Sequence, residues 1–204
     1  NIVNDISCVM DCGNSVGGIV APSLFKQLGI TTKEMFCDID PNFPNHHPDP
    51  TIDDNLESLI NEIKRKPYNL GIAYDGDADR VVAIDENGNI IRADILMTIF
   101  LSEIITEGDT IIYDVKCSRI LEYIIKKYKG VPLMYKTGHS LIKNKMIETS
   151  SKFGGEMSGH IFFADRYFGY DDGIYVSLRL IELLSKKTEP ISELLSELPI
   201  YVST

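Results

Sequence analysis

The segment IAYDGDADRVVAID, residues 72–85, places three aspartates at alternate positions between two apolar runs. Three carboxylates within five residues repel one another, and each loses hydration if it is partly buried. A divalent cation reverses the local field and makes such a cluster favourable. Hard oxygen ligands without neighbouring histidine or cysteine suit Mg²⁺ or Ca²⁺ better than zinc. We therefore expect a metal site formed by Asp75, Asp77 and Asp79.

Two other interpretations compete for this segment. A solvated polar turn is the plain one, since Asp and Gly are ordinary turn residues. The D-x-D-x-D start also matches an EF-hand calcium loop, and Glu86 falls at its twelfth position. Arg80 occupies the place of the required glycine, and strand-like flanks replace helices, which argues against an EF-hand. Arg80 is either an ion-pair partner or a bidentate phosphate ligand, and metal plus arginine suggests phosphoryl chemistry.

Two further polar segments follow strand-like runs. In DVKCSR (114–119), Lys116 lies just beyond a strand end and before a helix start at Ser118, although a surface lysine is the plain interpretation. In YKTGHSLIKNKM (135–146), a glycine turn precedes a helix. Backbone N–H groups at that helix start, together with Lys136 and His139, would favour an anion.

The segment GGEMSGHIFF (154–163) interleaves Glu156, Ser158 and His160 with glycines. Small residues let a ligand approach the backbone, and a carboxylate with a hydroxyl can bind vicinal sugar hydroxyls. His160 and His139 lie on neighbouring strand-end loops, and each can exchange protons near neutral pH. A sugar-binding loop with proton-transfer groups is therefore a hypothesis for this region.

Three segments receive no catalytic role. NFPNHHPDP (42–50) indicates a rigid loop, because adjacent histidines point apart and make a poor metal pair. RYFGYDDGIY (166–175) is expected to pack aromatic side chains and cap the next helix. DCGNSVGG (11–18) misses the G-x-G-x-x-G spacing, so a turn that opens a helix explains it.

The composition excludes some classes of function. A chain of 204 residues is long enough for one large or two modest domains, and 44% hydrophobic residues suit a soluble globular protein. A net charge of −10 without a basic run argues against a nucleic-acid partner. We expect no membrane span and a cytoplasmic location, because long apolar stretches and a signal-peptide pattern are absent. The cysteines lack paired C-x-x-C spacing, so we expect buried free thiols at Cys8, Cys12, Cys37 and Cys117.

Short apolar runs alternate with amphipathic segments, which predicts α/β layers with mostly parallel strands. Strands are expected at residues 6–11, 34–37, 70–74, 81–85, 110–115 and 132–136. Helices are expected over the stripes Leu56/Leu59/Ile60/Ile63, Ile19/Val20/Leu24/Leu28, Ile120/Leu121/Ile124/Ile125/Tyr128 and Ile174/Leu178/Ile181/Leu184. Gly29 and Gly130 are expected as C′ residues that end the second and third of these helices.

A strand and a hairpin turn in VVAIDENGNII are expected to close a first domain. We expect two α/β domains, residues 1–90 and 91–204, with a cleft between them. Three strand-like runs end in an aspartate, and ligands in open α/β sheets gather beyond the carboxyl ends of strands. The chemistry is therefore expected in the loops that follow Asp11, Asp75 and Asp114.

The motifs DGDADR, DVKC, KTGHSLIK and GEMSGH occur in this order along the chain. With these motifs, and with NFPNHHPDP and FGYDDGIY, essentially the whole chain resembles the α-D-phosphohexomutase superfamily, above all its bacterial phosphomannomutase/phosphoglucomutase members. The resemblance implies two similar three-layer domains, the second and third of four around a deep cleft. It also implies an intramolecular phosphotransferase that interconverts hexose 1-phosphates and 6-phosphates through a phosphoserine and a bisphosphorylated sugar.

By this resemblance, the three aspartates bind one Mg²⁺ together with the phosphoserine, and Arg80 lies near the transferring phosphate. Glu156 and Ser158 would hold the sugar's hydroxyls, so that either end of the sugar can be presented to the serine. The groups that would line the phosphate and proton-transfer region are Lys116, His139 and His160. The resemblance does not assign the general acid or the general base among them.

The sequence departs from the superfamily in two places. It contains no Ser-His-Asn-Pro type of phosphoserine loop and no Arg-x-Ser-Gly-Thr-Glu-Pro type of phosphate loop. We therefore expect a chain that ends in the linker ELPIYVST, lacks the first and fourth domains and has no mutase activity alone. Two alternatives stay open, a non-catalytic module that binds metal or sugar phosphate, and a phosphoglucosamine-type mutase. GEMSGH favours glucose and mannose over amino sugars.

Overall fold

The computed structural model describes residues 2–199, so the end of the predicted linker, residues 200–204, lies outside the described residues. The strands are β1 (Ser7–Asp11), β2 (Thr31–Met35), β3 (Leu70–Tyr74), β4 (Val81–Asp85), β5 (Ile90–Ile91), β6 (Thr110–Asp114), β7 (Val131–Tyr135), β8 (Phe153–Gly155) and β9 (Ile161–Phe163). The helices are α1 (Gly17–Gln27), α2 (Glu57–Arg65), α3 (Ala93–Ile104), α4 (Arg119–Lys127), α5 (His139–Thr149), α6 (Gly173–Leu184) and α7 (Ile191–Ser196), and a 3₁₀ turn (Asp53–Leu56) precedes α2. Among these helices of residues 2–199, none is long and apolar enough to cross a membrane.

The chain divides into two compact units, each with one mixed sheet. Among the described residues, unit 1 contains those up to Ile91 together with Gly173–Leu194, and unit 2 contains Arg92–Asp172 and residues 195–199. The predicted α/β class with mixed sheets is confirmed. Helix α6 packs on β3, β4 and α1, so the second half of the chain does not fold as one continuous segment. The domain boundary near residue 90 and the cleft stay predictions.

Unit 1 is built on a five-stranded sheet in the order β2-β1-β3-β4-β5. Strand β1 pairs in parallel with β2 and β3, whereas β3, β4 and β5 pair antiparallel, which confirms the predicted hairpin. Strands β3 and β4 are buried at every position, as expected for apolar runs inside a sheet that is covered by other elements. Because β1 and β3 are parallel neighbours, the loops after Asp11 and Tyr74 leave the same edge of the sheet.

The predicted helix over residues 56–63 is confirmed as the 3₁₀ turn and α2. Its side chains Leu56, Leu59 and Ile63 are buried against one face of the sheet. Burying each such side chain contributes roughly 1.5–3 kcal/mol. The sheet residues in this cluster are Val9, Ala73, Val82 and Ile84.

The predictions for β2 and α1 in unit 1 are wrong in detail. Strand β2 spans Thr31–Met35 rather than residues 34–37, because it is an edge strand with mostly exposed polar residues and carries no apolar run. The predicted apolar stripe of α1 is not its buried face. Ile19 is 63% exposed and Val20 is 50% exposed, whereas Ala21 and Phe25 are buried. Ala21 is small, so the helix can lie close to its neighbours on this face. A pattern of large apolar residues does not identify such a face.

Unit 2 contains a four-stranded sheet in the order β7-β6-β8-β9. Strand β6 pairs in parallel with β7 and β8, and β9 returns antiparallel to β8. The loops that follow β6, β7 and β8 therefore leave one edge of this sheet together. A buried cluster beneath α5 holds the helix on the sheet, and it consists of Ile112, Ile142, Met146 and Phe162.

The helix ends match the predictions only in part. Gly29 has a φ of +75°, which confirms it as the left-handed residue after α1. After α4 the left-handed residue is Lys129, with a φ of +62°, so the assignment of Gly130 to that role is wrong. A glycine is needed at position 130 for space, because a Cβ there would lie 2.3 Å from Cδ1 of Ile105. In α6, Ile174 is only half-buried, so its predicted stripe is shifted from the buried face.

Candidate functional site

The predicted metal residues lie in the connection between β3 and β4, which we call the aspartate loop (residues 75–80). One carboxylate oxygen from each of Asp75, Asp77 and Asp79 lies within 4.8 Å of the other two. The turn is held by Ala78, whose φ of +61° is rare outside glycine. Its N–H donates to the carbonyl of Asp75 at 3.2 Å, and its own carbonyl accepts from the N–H of Gly173 at 2.9 Å. The backbone thus bends so that the three side chains converge.

Arg80 closes the aspartate loop onto its first carboxylate. Its Nε donates to Oδ2 of Asp75 at 2.6 Å, and its backbone N–H donates to Oδ1 at 3.1 Å. Nη1 also donates to Oδ1 of Asp49 at 3.3 Å. Arg80 is therefore an ion-pair partner of the loop, and a role in phosphate binding stays a prediction.

The charge of the aspartate loop is not balanced within the loop. Three carboxylates and one guanidinium leave a formal charge of −2 over residues 75–80. Burial raises the pKa of Asp75, which is 2% exposed, and the bonds from Arg80 offset this effect only in part. Repulsion from Asp79 acts in the same direction as burial. A divalent cation would supply the missing charge, and carboxylate oxygens are the ligands that Mg²⁺ prefers.

A second carboxylate of unit 1 lies at the end of β1. Asp11 is 1% exposed and accepts hydrogen bonds from the N–H of Gly13 at 2.8 Å and from Nε2 of His46 at 3.0 Å. The hydrogen bond to Asp11 raises the pKa of His46, and burial, which lowers this pKa, offsets the effect only in part. His47 turns away and packs near Phe43, with ring centroids 6.0 Å apart, which confirms that the adjacent histidines point apart. The segment 42–50 is tied to the strand end through His46.

Unit 2 contains a second group of polar side chains, which we call the histidine cluster (His139, His160 and Asp171). Nδ1 of His139 donates to Oδ2 of Asp171 at 2.7 Å, and Nζ of Lys143 donates to Oδ1 at 2.7 Å. The two imidazole rings stack with centroids 5.3 Å apart. Burial alone would raise the pKa of Asp171, but the bonds from Lys143 and His139 bring it below the usual range.

Glu156 joins this cluster from the loop between β8 and β9. The backbone N–H of Gly138 donates to Oε1 of Glu156, and Oε2 lies 3.2 Å from Nδ1 of His160. Ser158 Oγ is 2.9 Å from that same Nδ1. Glu156 is 2% exposed, and although burial raises its pKa, the bonds from His160 and Gly138 bring it below the usual range. Gly138 has a φ of +138°, a conformation that suits glycine only.

Asp114 explains why the loops of unit 2 converge. This fully buried carboxylate accepts from Oγ1 of Thr137 at 2.9 Å, from the N–H of Met157 at 3.2 Å and from the thiol of Cys117 at 3.1 Å. It thereby joins the loops after β6, β7 and β8 at one point. Lys116 is exposed in the first of these loops. The predicted helix starts near residues 118 and 139 are confirmed by α4 and α5.

The sequence alone indicates no catalytic role for Asp171, yet the structure places it in contact with His139 and Lys143. The local signal was a pair of aspartates before a helix, which is typical of capping. The partner His139 lies 32 residues earlier, so only the fold reveals the pair. Asp49 was missed for the same reason, since its contact with Arg80 spans 31 residues.

The chain resembles known proteins over its whole length. Residues 3–88 match the family model for the phosphoglucomutase/phosphomannomutase alpha/beta/alpha domain II, and residues 92–201 match domain III. A phosphomannomutase/phosphoglucomutase of Pseudomonas aeruginosa is 48% identical over 96% of this chain and 43% of its own length. A phosphoglucomutase of Neisseria gonorrhoeae is 46% identical over 98% of this chain and 44% of its own length.

The fold likeness is equally extensive. The crystal structure of a phosphoglucomutase/phosphomannomutase family protein from Burkholderia thailandensis has a TM-score of 0.94 and 46% identity, over 100% of this chain and 45% of that one. Fold and motifs together define the α-D-phosphohexomutase class, as the sequence predicted. The chain belongs to the phosphoglucomutase/phosphomannomutase family, whose domains II and III it matches. It spans less than half the length of the curated relatives it matches.

Proposed function

We propose that the chain is the central part of a Mg²⁺-dependent phosphohexomutase, with domain II at residues 1–90 and domain III at 91–204. Its substrates would be the 1-phosphates and 6-phosphates of mannose and glucose, and the reaction would pass through a phosphoserine and a bisphosphorylated sugar. The convergence of Asp75, Asp77 and Asp79 within 4.8 Å, in a chain of this family, carries the proposal. The names of the relatives support the substrate class. The free thiols fit a cytoplasmic location.

The three aspartates would hold the Mg²⁺, with the phosphoserine as a further ligand. When bound, the ion would neutralise charge on the transferring phosphoryl group, the main requirement of phosphoryl transfer. Arg80 orients Asp75 through two hydrogen bonds and places positive charge beside the same oxygens. Its guanidinium would also attract the phosphate, since arginine suits phosphate geometry.

The sugar would bind at Glu156 and Ser158. Glu156 is held by the N–H of Gly138 and by His160, so its carboxylate is fixed before a ligand arrives. The stable ionised form implied by its lowered pKa suits acceptance of hydrogen bonds from sugar hydroxyls. GEMSGH favours glucose and mannose over the phosphoglucosamine alternative.

Lys116, His139 and His160 would serve the phosphate and proton-transfer region. Lys116 is exposed at a strand end and can offer its ammonium to a phosphate. His139 and His160 each contact a carboxylate, at Asp171 and Glu156, which orients the imidazole for proton transfer. Either histidine fits the general acid or base.

The proposal is tested by assays on the chain and on its full-length protein. The full-length protein should interconvert glucose 1-phosphate and glucose 6-phosphate when Mg²⁺ and glucose 1,6-bisphosphate are present. Asp77→Asn should lower kcat by about a hundredfold or more, the scale of losing a charge-stabilising group. Asp5→Asn, at an exposed carboxylate of the same unit, is the matched control and should leave kcat unchanged.

The chain alone should not turn over either sugar phosphate, because it would lack the phosphoserine. Robust conversion by the isolated chain would contradict the proposed division of labour. A full-length protein that converts neither hexose phosphate would instead favour the alternative, a non-catalytic module that binds metal or sugar phosphate.

A further inference from the structure

Cys12 and Cys37 lie side by side in unit 1, outside the groups assigned a role above. Their Sγ atoms are 3.2 Å apart and hydrogen-bonded. Cys12 directly follows β1, and Cys37 lies two residues beyond β2, so the parallel pairing of these two strands brings the thiols together. A disulfide requires an S–S distance of about 2.05 Å, so a small movement would join them.

The two thiols differ in exposure. Cys12 is fully buried, whereas Cys37 is half-buried. The hydrogen bond between them lowers the pKa of Cys37, which burial would raise, and the same bond together with burial raises the pKa of Cys12. Cys37 is therefore both the more acidic and the more exposed thiol of the pair, so the reactive thiolate forms there.

The surrounding backbone already has the packing that a cross-link needs. The N–H of Asn14 donates to the carbonyl of Phe36 at 2.7 Å. A Cβ on Gly18 would lie 2.0 Å from the carbonyl oxygen of Cys37, an approach that only glycine permits. The turn after β1 and the segment after β2 are thus in close contact around the two thiols.

We propose that Cys12 and Cys37 form an oxidation site at which a peroxide converts the two thiols into a disulfide. The Cys37 thiolate attacks a peroxide oxygen, the O–O bond breaks, and a sulfenic acid and one water are produced. The Cys12 sulfur then attacks the sulfenic sulfur, the S–O bond breaks, and a second water leaves. Two electrons and two protons pass from the thiols, and hydrogen peroxide is reduced to two waters.

The other two cysteines provide an internal comparison. Cys8 is fully buried, with its Sγ 3.6 Å from Oγ1 of Thr32, and burial raises its pKa to about 11. Cys117 donates to Asp114, and burial raises its pKa as well. Both thiols should stay reduced while the pair reacts.

The experiment is to treat the reduced chain with hydrogen peroxide and to map its peptides by mass spectrometry without reductant. We expect loss of two of the four titratable thiols and one cross-linked peptide that joins Cys12 to Cys37. The cross-link should raise the thermal midpoint by several degrees, since it restricts the unfolded chain. Four thiols still titratable after treatment, or a bond through Cys8 or Cys117, would overturn the proposal.

Variants test the order of the two steps. In Cys12→Ser, Cys37 should accumulate as a sulfenic acid that dimedone traps. In Cys37→Ser, the reaction at Cys12 should slow at least about tenfold, because a buried thiol of raised pKa is a poor nucleophile. Cys117→Ser is the matched control and should form the bond at the rate of the unmodified chain. Circular dichroism checks that each variant is folded. If a variant unfolds, the mass-spectrometric peptide map of the unmodified chain decides the proposal. Dimedone labelling of Cys8 instead of Cys37 would contradict it.

Discussion

The aspartate loop of unit 1 and the histidine cluster of unit 2 look alike when only distance is considered. Each brings one ligand atom from three residues within 4.8 Å of the others. They differ in charge balance. In the loop, three carboxylates face one guanidinium, whereas in the cluster Asp171 already accepts from an ammonium and an imidazole. Distance therefore selects candidate metal sites, and charge balance separates them.

The pKa directions express the same difference. Burial raises the pKa of Asp75 because its partners do not fully compensate the lost hydration. For Asp171 and Glu156, burial acts in the same direction, but donated hydrogen bonds outweigh it and lower the pKa. We infer that the aspartate loop suits a cation, whereas Asp171 of the histidine cluster is already paired with Lys143 and His139.

The largest expected effect concerns metal affinity. In the isolated chain, Mg²⁺ should bind weakly, because only three carboxylates are present. Asp77→Asn should weaken that binding by at least about tenfold, or about 1.4 kcal/mol, since it removes a ligand charge from the loop. Isothermal titration calorimetry measures the change, with Asp5→Asn as the control. An unchanged Mg²⁺ affinity in Asp77→Asn would show that the aspartate loop is not the metal site.

A smaller effect is expected on folding stability. Asp171→Asn should cost about 1 kcal/mol, because Lys143 and His139 lose a charged acceptor while both remain partly exposed to water. Urea denaturation of the two proteins measures the difference. Glu148→Gln, which removes the exposed ion pair with Lys145, is the control and should change stability little. Equal costs for the two variants would show that Asp171 is an ordinary surface partner.

The acid limb of the stability curve should reflect the same residues. A carboxylate whose pKa is lowered by folding contributes stability above its unfolded pKa, and that stability is lost as pH falls through the folded pKa. Asp171 and Glu156 are such groups, so stability should fall between about pH 5 and pH 3. In Asp171→Asn the fall should be shallower, as thermal melts across this range would show. A steeper fall of stability in the variant would contradict the expectation that ionised Asp171 stabilises the fold.

The smallest effect is spectroscopic. Because Nδ1 of His139 donates to Asp171, neutral His139 should carry its proton on Nδ1. Long-range ¹H–¹⁵N correlation spectra report this tautomer, and in Asp171→Asn the Nε2–H form should gain population. The spectrum of His46, which contacts Asp11 in unit 1, should not change and is the internal control. An Nε2–H tautomer of His139 in the unmodified chain would contradict the proposed orientation.

The sequence predicts those parts of the fold whose residues signal their environment locally. Strands β3 and β4 are continuous apolar runs, and α2 has a regular stripe, so both were predictable. Strand β2 was misplaced because an edge strand can be polar. The buried face of α1 was mistaken because Ala21 is buried through its small size rather than through strong hydrophobicity.

The site follows the same rule. The aspartate loop was predictable, because three like charges within five residues are a local anomaly that needs an explanation. Asp171 and Asp49 were not, since their partners lie 32 and 31 residues away and each aspartate alone is ordinary in a loop. Whether a charged side chain is paired depends on the groups that the fold places next to it. Spacing along the chain shows only the groups that are near in sequence.

The most direct test is a Mg²⁺ titration of the isotope-labelled chain followed by ¹H–¹⁵N spectra. Saturable shifts are expected at residues 75–80, and no shifts are expected at His139, His160 or Asp171. Shifts confined to the histidine cluster, with residues 75–80 unchanged, would show that the aspartate loop does not bind Mg²⁺.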